Sequence, residues 1–255
     1  MRVTLRFVTA LAVLLIASVS VASECVVVLH GLIRTASSME EMYEALLDDG
    51  FDAVNVDYPS RDYTIEALAP MVIERGLEYC RAQPDTETIH FVAHSLGGIL
   101  IRQYLSGHEI PELGRVVMLA PPNQGSVAAD EMTKVPGYDW INGPTGRQLG
   151  KGEGSVPLAL GPANFELGVI AGTRTIDPVT SAVLPDPDDG RVSVEDTKLE
   201  GMQDHATVAH SHAYIMKMQE PIELTIRFLR TGSFGAAGSR AAETSAATRQ
   251  RIDGK

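Results

Sequence analysis

The chain has 255 residues, 44% of them hydrophobic, which suits one α/β domain with a sizeable core. Its 33 Asp and Glu against 21 Lys and Arg leave a formal charge of −12. With no basic cluster, nucleic acid is not an expected partner.

Arg2 and Arg6 open the chain, and the 15 residues from Phe7 to Val21 carry no charge. Small residues follow at Ser20, Ala22 and Ser23. This is the form of a secretory signal over residues 1–23, with cleavage after Ala22 or Ser23. The run falls short of the roughly 20 apolar residues of a spanning helix. Glu24, directly before Cys25, does not fit a lipoprotein signal. The expected product is soluble and exported, periplasmic or extracellular, with no stable membrane span and a charge near −14. In an oxidising compartment its two cysteines, Cys25 and Cys80, read as a disulfide, the alternative being two buried thiols. Closing that loop of about 55 residues would contribute roughly 4 kcal/mol.

Val26-Val27-Val28-Leu29 is a short continuous apolar run, as in a strand buried on both faces of a parallel sheet. Ser37 and Ser38, followed by Glu40 and Glu41, begin a helix that stops at Gly50. A second strand covers Ala53 to Val56 and ends before Pro59. A helix is expected from Ile65 to Arg81, provided Pro70 lies early in it rather than breaking it. Strand Thr88 to Val92 leads into Ala93-His94-Ser95-Leu96-Gly97-Gly98 and then a helix over 97–106. A serine between strand and helix, with small residues two before and two after, fits a nucleophile elbow, Ala93 standing where glycine is usual. Strand Val116 to Leu119 follows.

From Pro121 to Asn164 the pattern dissolves into Gly- and Pro-rich sequence, read as a small loop-rich cap over the site. Leu167 to Gly172 returns to the sheet, and another strand spans His205 to Ala209. The last helix runs from Glu220 to Leu229, starting near Pro221. From Thr231 the chain is Gly, Ala, Ser, Thr and Arg with few large apolar residues, so 231–255 is expected to be a disordered tail. The alternation of elements predicts an α/β fold: a mostly parallel central sheet flanked by helices over 24–230, with residues 121–164 as the cap insertion. No internal repeat is visible.

A serine needs a base to take its proton and a third group to hold that base. In this topology they follow the serine in the order acid, then histidine. The turn-forming stretch Asp186-Pro187-Asp188-Asp189-Gly190 offers Asp189 first, with Asp188 as the alternative and Asp186 third. The loop after the last strand offers His212, with His210 as the alternative base. Leu96 N–H and Leu32 N–H, the latter in the loop after the first strand, are the candidate oxyanion donors. His30 in that loop reads as structural. His205, His210 and His212 near Asp204 could hold zinc, but no His-Glu-x-x-His or Cys-x-x-Cys spacing occurs, so neither metal nor cofactor is expected.

The His30-Gly31 loop, the His94-Ser95-Leu96-Gly97-Gly98 elbow, Asp189-Gly190-x-Val192 and His212 together resemble bacterial lipases and esterases of the α/β-hydrolase fold. Leu119-Ala120-Pro121-Pro122-Asn123-Gln124-Gly125-Ser126 resembles the post-strand segment of secreted lipase-like hydrolases. The resemblance covers about residues 25–230 and implies Ser95 as nucleophile, Asp189 as acid, His212 as base, and Leu32 and Leu96 as the oxyanion hole. It implies cleavage of small-molecule or lipid esters through an acyl-enzyme. The expected cap is too short and Gly-rich for the large helical lid of many true lipases. The same machinery serves acyl transfer or thioester cleavage, and the fold can serve a non-catalytic binding protein.

Overall fold

Six short strands make one fully parallel sheet in a computed structural model that describes residues 23–235. They are β1 (Ser23–Leu29), β2 (Asp52–Val56), β3 (Thr86–His94), β4 (Leu113–Leu119), β5 (Leu167–Gly172) and β6 (Asp204–Val208), in the spatial order β2-β1-β3-β4-β5-β6. Helices α1 (Glu40–Asp48), α2 (Ile65–Arg81) and α3 (Leu96–Leu105) join the first four strands. The cap carries α4 (Val127–Thr133), α5 (Tyr138–Arg147) and α6 (Val156–Ala159). Two short helices, α7 (Pro178–Ser181) and α8 (Val194–Thr197), precede β6, and α9 (Gln219–Thr231) closes the fold.

The period-two alternation of side chains divides the core between the two faces of the sheet. Val27, Leu29, Phe91, Val116 and Met118 point to one face with α2 and α3. Val26, Val28, Val92, Val117 and Leu119 point to the other, where Met42, Leu46 and Phe228 of α1 and α9 cover them. The register sets Val27 opposite both Val54 and Phe91. The chain leaves β1 outward to β2, then returns to the other side of β1 at β3, so the order reverses there. Ligands of open parallel sheets bind in the crevice at the carboxyl ends of strands flanking such a switch point. Those ends carry the His30 loop and the Ser95 elbow.

Pro70 lies inside α2 without ending it. The apolar stripe of Leu68, Ala69, Val72, Ile73 and Leu77, all buried against the sheet, outweighs the lost N–H. Cys25 and Cys80 form a disulfide joining β1 to the last turn of α2. Of the expected leader, only Ser23 lies within the described residues. It opens β1, with its N–H donating to Asp85 O at 2.9 Å and its hydroxyl to Asp52. Among the described residues no helix is long and apolar enough to cross a membrane.

Two segments add to the sequence expectation. The 121–164 segment is loop-rich, with turns through Gly125 and from Gly150 to Gly154, but three short helices form between its Gly and Pro residues. Gly137 precedes α5, Pro157 lies in the first turn of α6, and Gly143 (φ 63°, ψ −168°) bends α5 before Pro144. Buried Arg102 anchors the cap to α3, donating to the Asn123, Pro157 and Gly161 carbonyls at 2.9–3.1 Å. Burial lowers its pKa to about 10, so it stays charged at neutral pH. At the other end α9 runs to Thr231, and Phe234 is buried 4.9 Å from the Phe228 ring. The expected tail therefore does not begin at 231; residues 236–255 lie outside the described residues.

Candidate active site

The site is assembled from four loops at the carboxyl edge of the sheet. Ser95, between β3 and α3, has φ 51° and ψ −116°, a conformation rarely adopted by a non-glycine residue and one that stores strain. The strain is sustained because the neighbouring backbone packs tightly. A Cβ on Gly97 would lie 2.9 Å from Leu29 Cβ and 3.0 Å from His30 O, so only glycine lets the elbow press against the end of β1.

His212 and Asp189 meet Ser95 in one hydrogen-bonded line. His212 Nδ1–H donates to Asp189 Oδ2 at 2.7 Å, and Ser95 Oγ–H donates to His212 Nε2 at 3.1 Å. Asp189 is buried, and its Oδ1 accepts the Arg191 and Val192 N–H groups at 2.9 and 2.8 Å. The His212 N–H also donates to Asp189 O at 3.0 Å, locking the two loops together. Gly172 at the end of β5 makes this convergence possible, since a Cβ there would lie 2.4 Å from His210 O and 2.8 Å from Asp189 Cβ.

The alternative residues stand elsewhere. Asp188 turns away and accepts from Ser181 Oγ and Gly190 N–H, both at 2.7 Å, and Asp186 is exposed. His210 faces Glu220 at 3.3 Å, and His205 faces Thr197 Oγ1 at 3.0 Å. Among the described residues no three His, Cys, Asp or Glu side chains are grouped to hold a metal ion.

The loop after β1 passes beside the elbow. A Cβ on Gly31 would lie 3.3 Å from Ser95 Cβ, and the Leu32 and Leu96 amides donate to no acceptor among the described residues. His30 holds this loop: its Nδ1–H donates to Gly31 O at 2.9 Å, Nε2 accepts Tyr58 N–H at 3.3 Å, and the Tyr58 ring stacks on it. The Tyr58 hydroxyl donates to His30 O. His94, beside the serine, has no role in the sequence reading, although its position in a buried elbow is a signal. Its Nε2–H donates to His212 O at 3.0 Å, and its buried Nδ1, without a partner, faces Gly31. His94 thus ties the elbow to the histidine loop and packs beside the loop after β1.

A cleft of about 540 Å³ opens over Ser95 and His212. The cap supplies an apolar wall from Ala128, Ala129, Met132, Val135, Ile141 and Leu149, facing Leu32 and Val192. Arg34, Ser126, Asn142 and Arg191 are its polar lining.

Burial lowers the pKa of His30 and His90, holds His94 well below 6.5, and takes His205 to about 4. In the unfolded chain each returns to roughly 6.5. Below that pH the unfolded state binds protons that the folded state refuses, so stability is complete above about pH 6.5 and falls as pH drops toward about 4. Urea midpoints are expected to decline steadily from about pH 7 to about pH 4.5 on that linkage. A flat profile would contradict neutral buried imidazoles.

The alpha/beta hydrolase family profile matches residues 26–238, and the chain belongs to that family. No curated protein matches it in sequence. Among solved structures it is similar to a mature lipase of Bacillus licheniformis, with 19% identity and a TM-score of 0.66 over 83% of this chain and 92% of that one. A phospholipase of Legionella pneumophila aligns with 17% identity and a TM-score of 0.68 over 90% of this chain, which spans 65% of that protein. An esterase of Pyrococcus furiosus aligns at 17% identity and a TM-score of 0.58 over 82% of each chain. At these identities the likeness is one of fold.

Proposed function

We propose that this protein is an exported serine hydrolase that cleaves carboxylic esters through an acyl-enzyme intermediate. The observation that carries the reading is the Ser95–His212–Asp189 line at the sheet's switch point. Ser95 Oγ attacks the ester carbonyl carbon as His212 Nε2 takes its proton. The oxyanion accepts the free Leu32 and Leu96 amides. Collapse expels the alcohol, which leaves with the proton from His212, and Ser95 retains the acyl group. Water then repeats the attack, its proton passing to His212 and on to Ser95 as the acid departs.

The apolar cap wall supports an acyl chain on that side of Ser95. Export is supported by the leader pattern and by the Cys25–Cys80 bridge. Cleavage after Ala22 keeps Ser23 as the first residue of β1, where its nitrogen, then a terminal ammonium, can still donate to Asp85 O and its hydroxyl to Asp52.

Ser95→Ala is the test. It is expected to abolish hydrolysis of a chromogenic ester series and labelling by a fluorophosphonate, with little change in thermal stability. Labelling that persists at another residue would overturn the assignment. Product partition with added alcohol separates hydrolysis from acyl transfer.

A further inference from the structure

Arg34 differs from Arg75, Arg174 and Arg227, which also lack a carboxylate within 4.0 Å among the described residues, in being half-buried at the cleft rather than exposed. Arg61, Arg81, Arg115, Arg191 and Arg230 each lie within 4.0 Å of a carboxylate. Arg34 is half-buried and lines the cleft with Ser95, yet its one polar contact is Nη2 donating to Ala213 O at 3.4 Å. Among the described residues no carboxylate reaches ion-pairing distance of it. Its charge is felt inside the site: after burial and His212, it is the next cause holding His94 below the usual histidine range.

The position of Arg34 also has a direction. It is shared between the catalytic cleft and a second depression of about 540 Å³, lined by Tyr58, Ser60 and Arg61 among others. An ester lying across Ser95 with its acyl chain against the cap wall sends its alcohol portion the other way. Asp57 and Asp62 line the second depression too, but Asp57 accepts Ala36 N–H at 2.9 Å and Asp62 faces Arg61 at 3.9 Å. They disfavour an anion deep in that depression and leave its near edge, at Arg34, as the favourable place.

We infer that Arg34 is an anion-recognition residue and that the preferred substrates are esters whose alcohol portion carries a phosphate or carboxylate group. The inference rests on the ester-hydrolase reading and refines its substrate class. A guanidinium without a carboxylate partner gives such an oxyanion a charge-assisted hydrogen bond without first breaking an ion pair.

Three esters of one acyl chain test it: a monoacylglycerol, its 3-phosphate, and the O-acyl derivative of a hydroxycarboxylic acid. The unmodified enzyme is expected to show about tenfold higher kcat/KM on at least one anionic ester than on the neutral one, weakening with salt. Arg34→Gln should lower that ratio about tenfold, mainly through KM, and Arg34→Lys should restore part of it. The phosphate and carboxylate arms show which oxyanion is read. A ratio that Arg34→Gln leaves unchanged, or a preference for the neutral ester, overturns the inference. Titrating the acylglycerol 3-phosphate into Ser95→Ala protein, with and without Arg34→Gln, reads the same contact without turnover. Weaker binding without Arg34, in a protein whose unmodified form cleaves no ester, would sink the hydrolase reading and keep the anion site. Equal affinities would remove the anion site whatever the catalytic result.

Discussion

Asparagine in place of Asp189 is expected to lower kcat about 10,000-fold, as loss of the correct histidine tautomer does in serine-protease triads. The reason is local. Asp189 Oδ1 accepts two backbone N–H groups, from Arg191 and Val192, which an amide nitrogen cannot do. The substituted side chain would therefore keep its oxygen on those donors and turn its NH2 toward His212 Nδ1. The imidazole would have to accept there, placing its proton on Nε2, the nitrogen that must take the proton of Ser95. KM should move little, because Asp189 is buried behind the histidine. Asp188→Asn is the matched comparison. Its neighbours are Gly190 N–H and the Ser181 hydroxyl, and an amide serves both, since a hydroxyl can accept as well as donate. Its kcat is expected to stay within about threefold of the unmodified enzyme on that hydrogen-bond inventory. Steady-state kinetics on both variants, with thermal midpoints as a folding check, decides between the two carboxylates. Equal losses would contradict the assignment of Asp189.

That pair of aspartates shows where sequence reading stops. Adjacent residues in a turn point opposite ways, and periodicity has nothing to say about which one faces a histidine 23 positions later. His210 and His212 pose the same difficulty in a loop, resolved by Gly172 and the Asp189 backbone, which are remote in sequence. The strands are easier to read. Val26 to Leu29 and Leu167 to Gly172 are apolar or glycine throughout because a parallel sheet buries both faces. The polar start of β3 at Thr86 and Glu87 leaves no such trace. Short cap helices are hidden by their own punctuation, and Phe234 by the Gly and Ser around it. A single apolar side chain reads as tail until a partner such as Phe228 is known. Arg34 carries no sequence signal, since its place between two depressions is set by segments remote in the chain.

The disulfide gives the largest expected effect on stability. Gly76 of α2 lies so close to β1 that a Cβ there would sit 2.4 Å from Val27 Cγ1, and this approach carries Cys80 over Cys25. The bridge closes a sequence separation of 55 residues. Loop-closure entropy then predicts a loss of about 4 kcal/mol when Cys25→Ala and Cys80→Ala are combined. For a domain of this size that is a fall of roughly 8–16 °C in thermal midpoint. Reductant should bring the unmodified protein to a similar midpoint and leave the double variant where it is. Catalysis should respond differently. Cys25 pairs with Ile89, whereas the loops carrying His30 and Ser95 leave the opposite ends of the same strands, where Leu29 pairs with Ala93. Below its midpoint, the double variant is therefore expected to keep kcat within about twofold, by the independence of distant sites. A loss of less than about 1 kcal/mol would show that the unfolded chain already holds these segments together. A large fall in kcat in protein still folded would mean instead that the bridge strains or positions the His30 loop from the far end of β1.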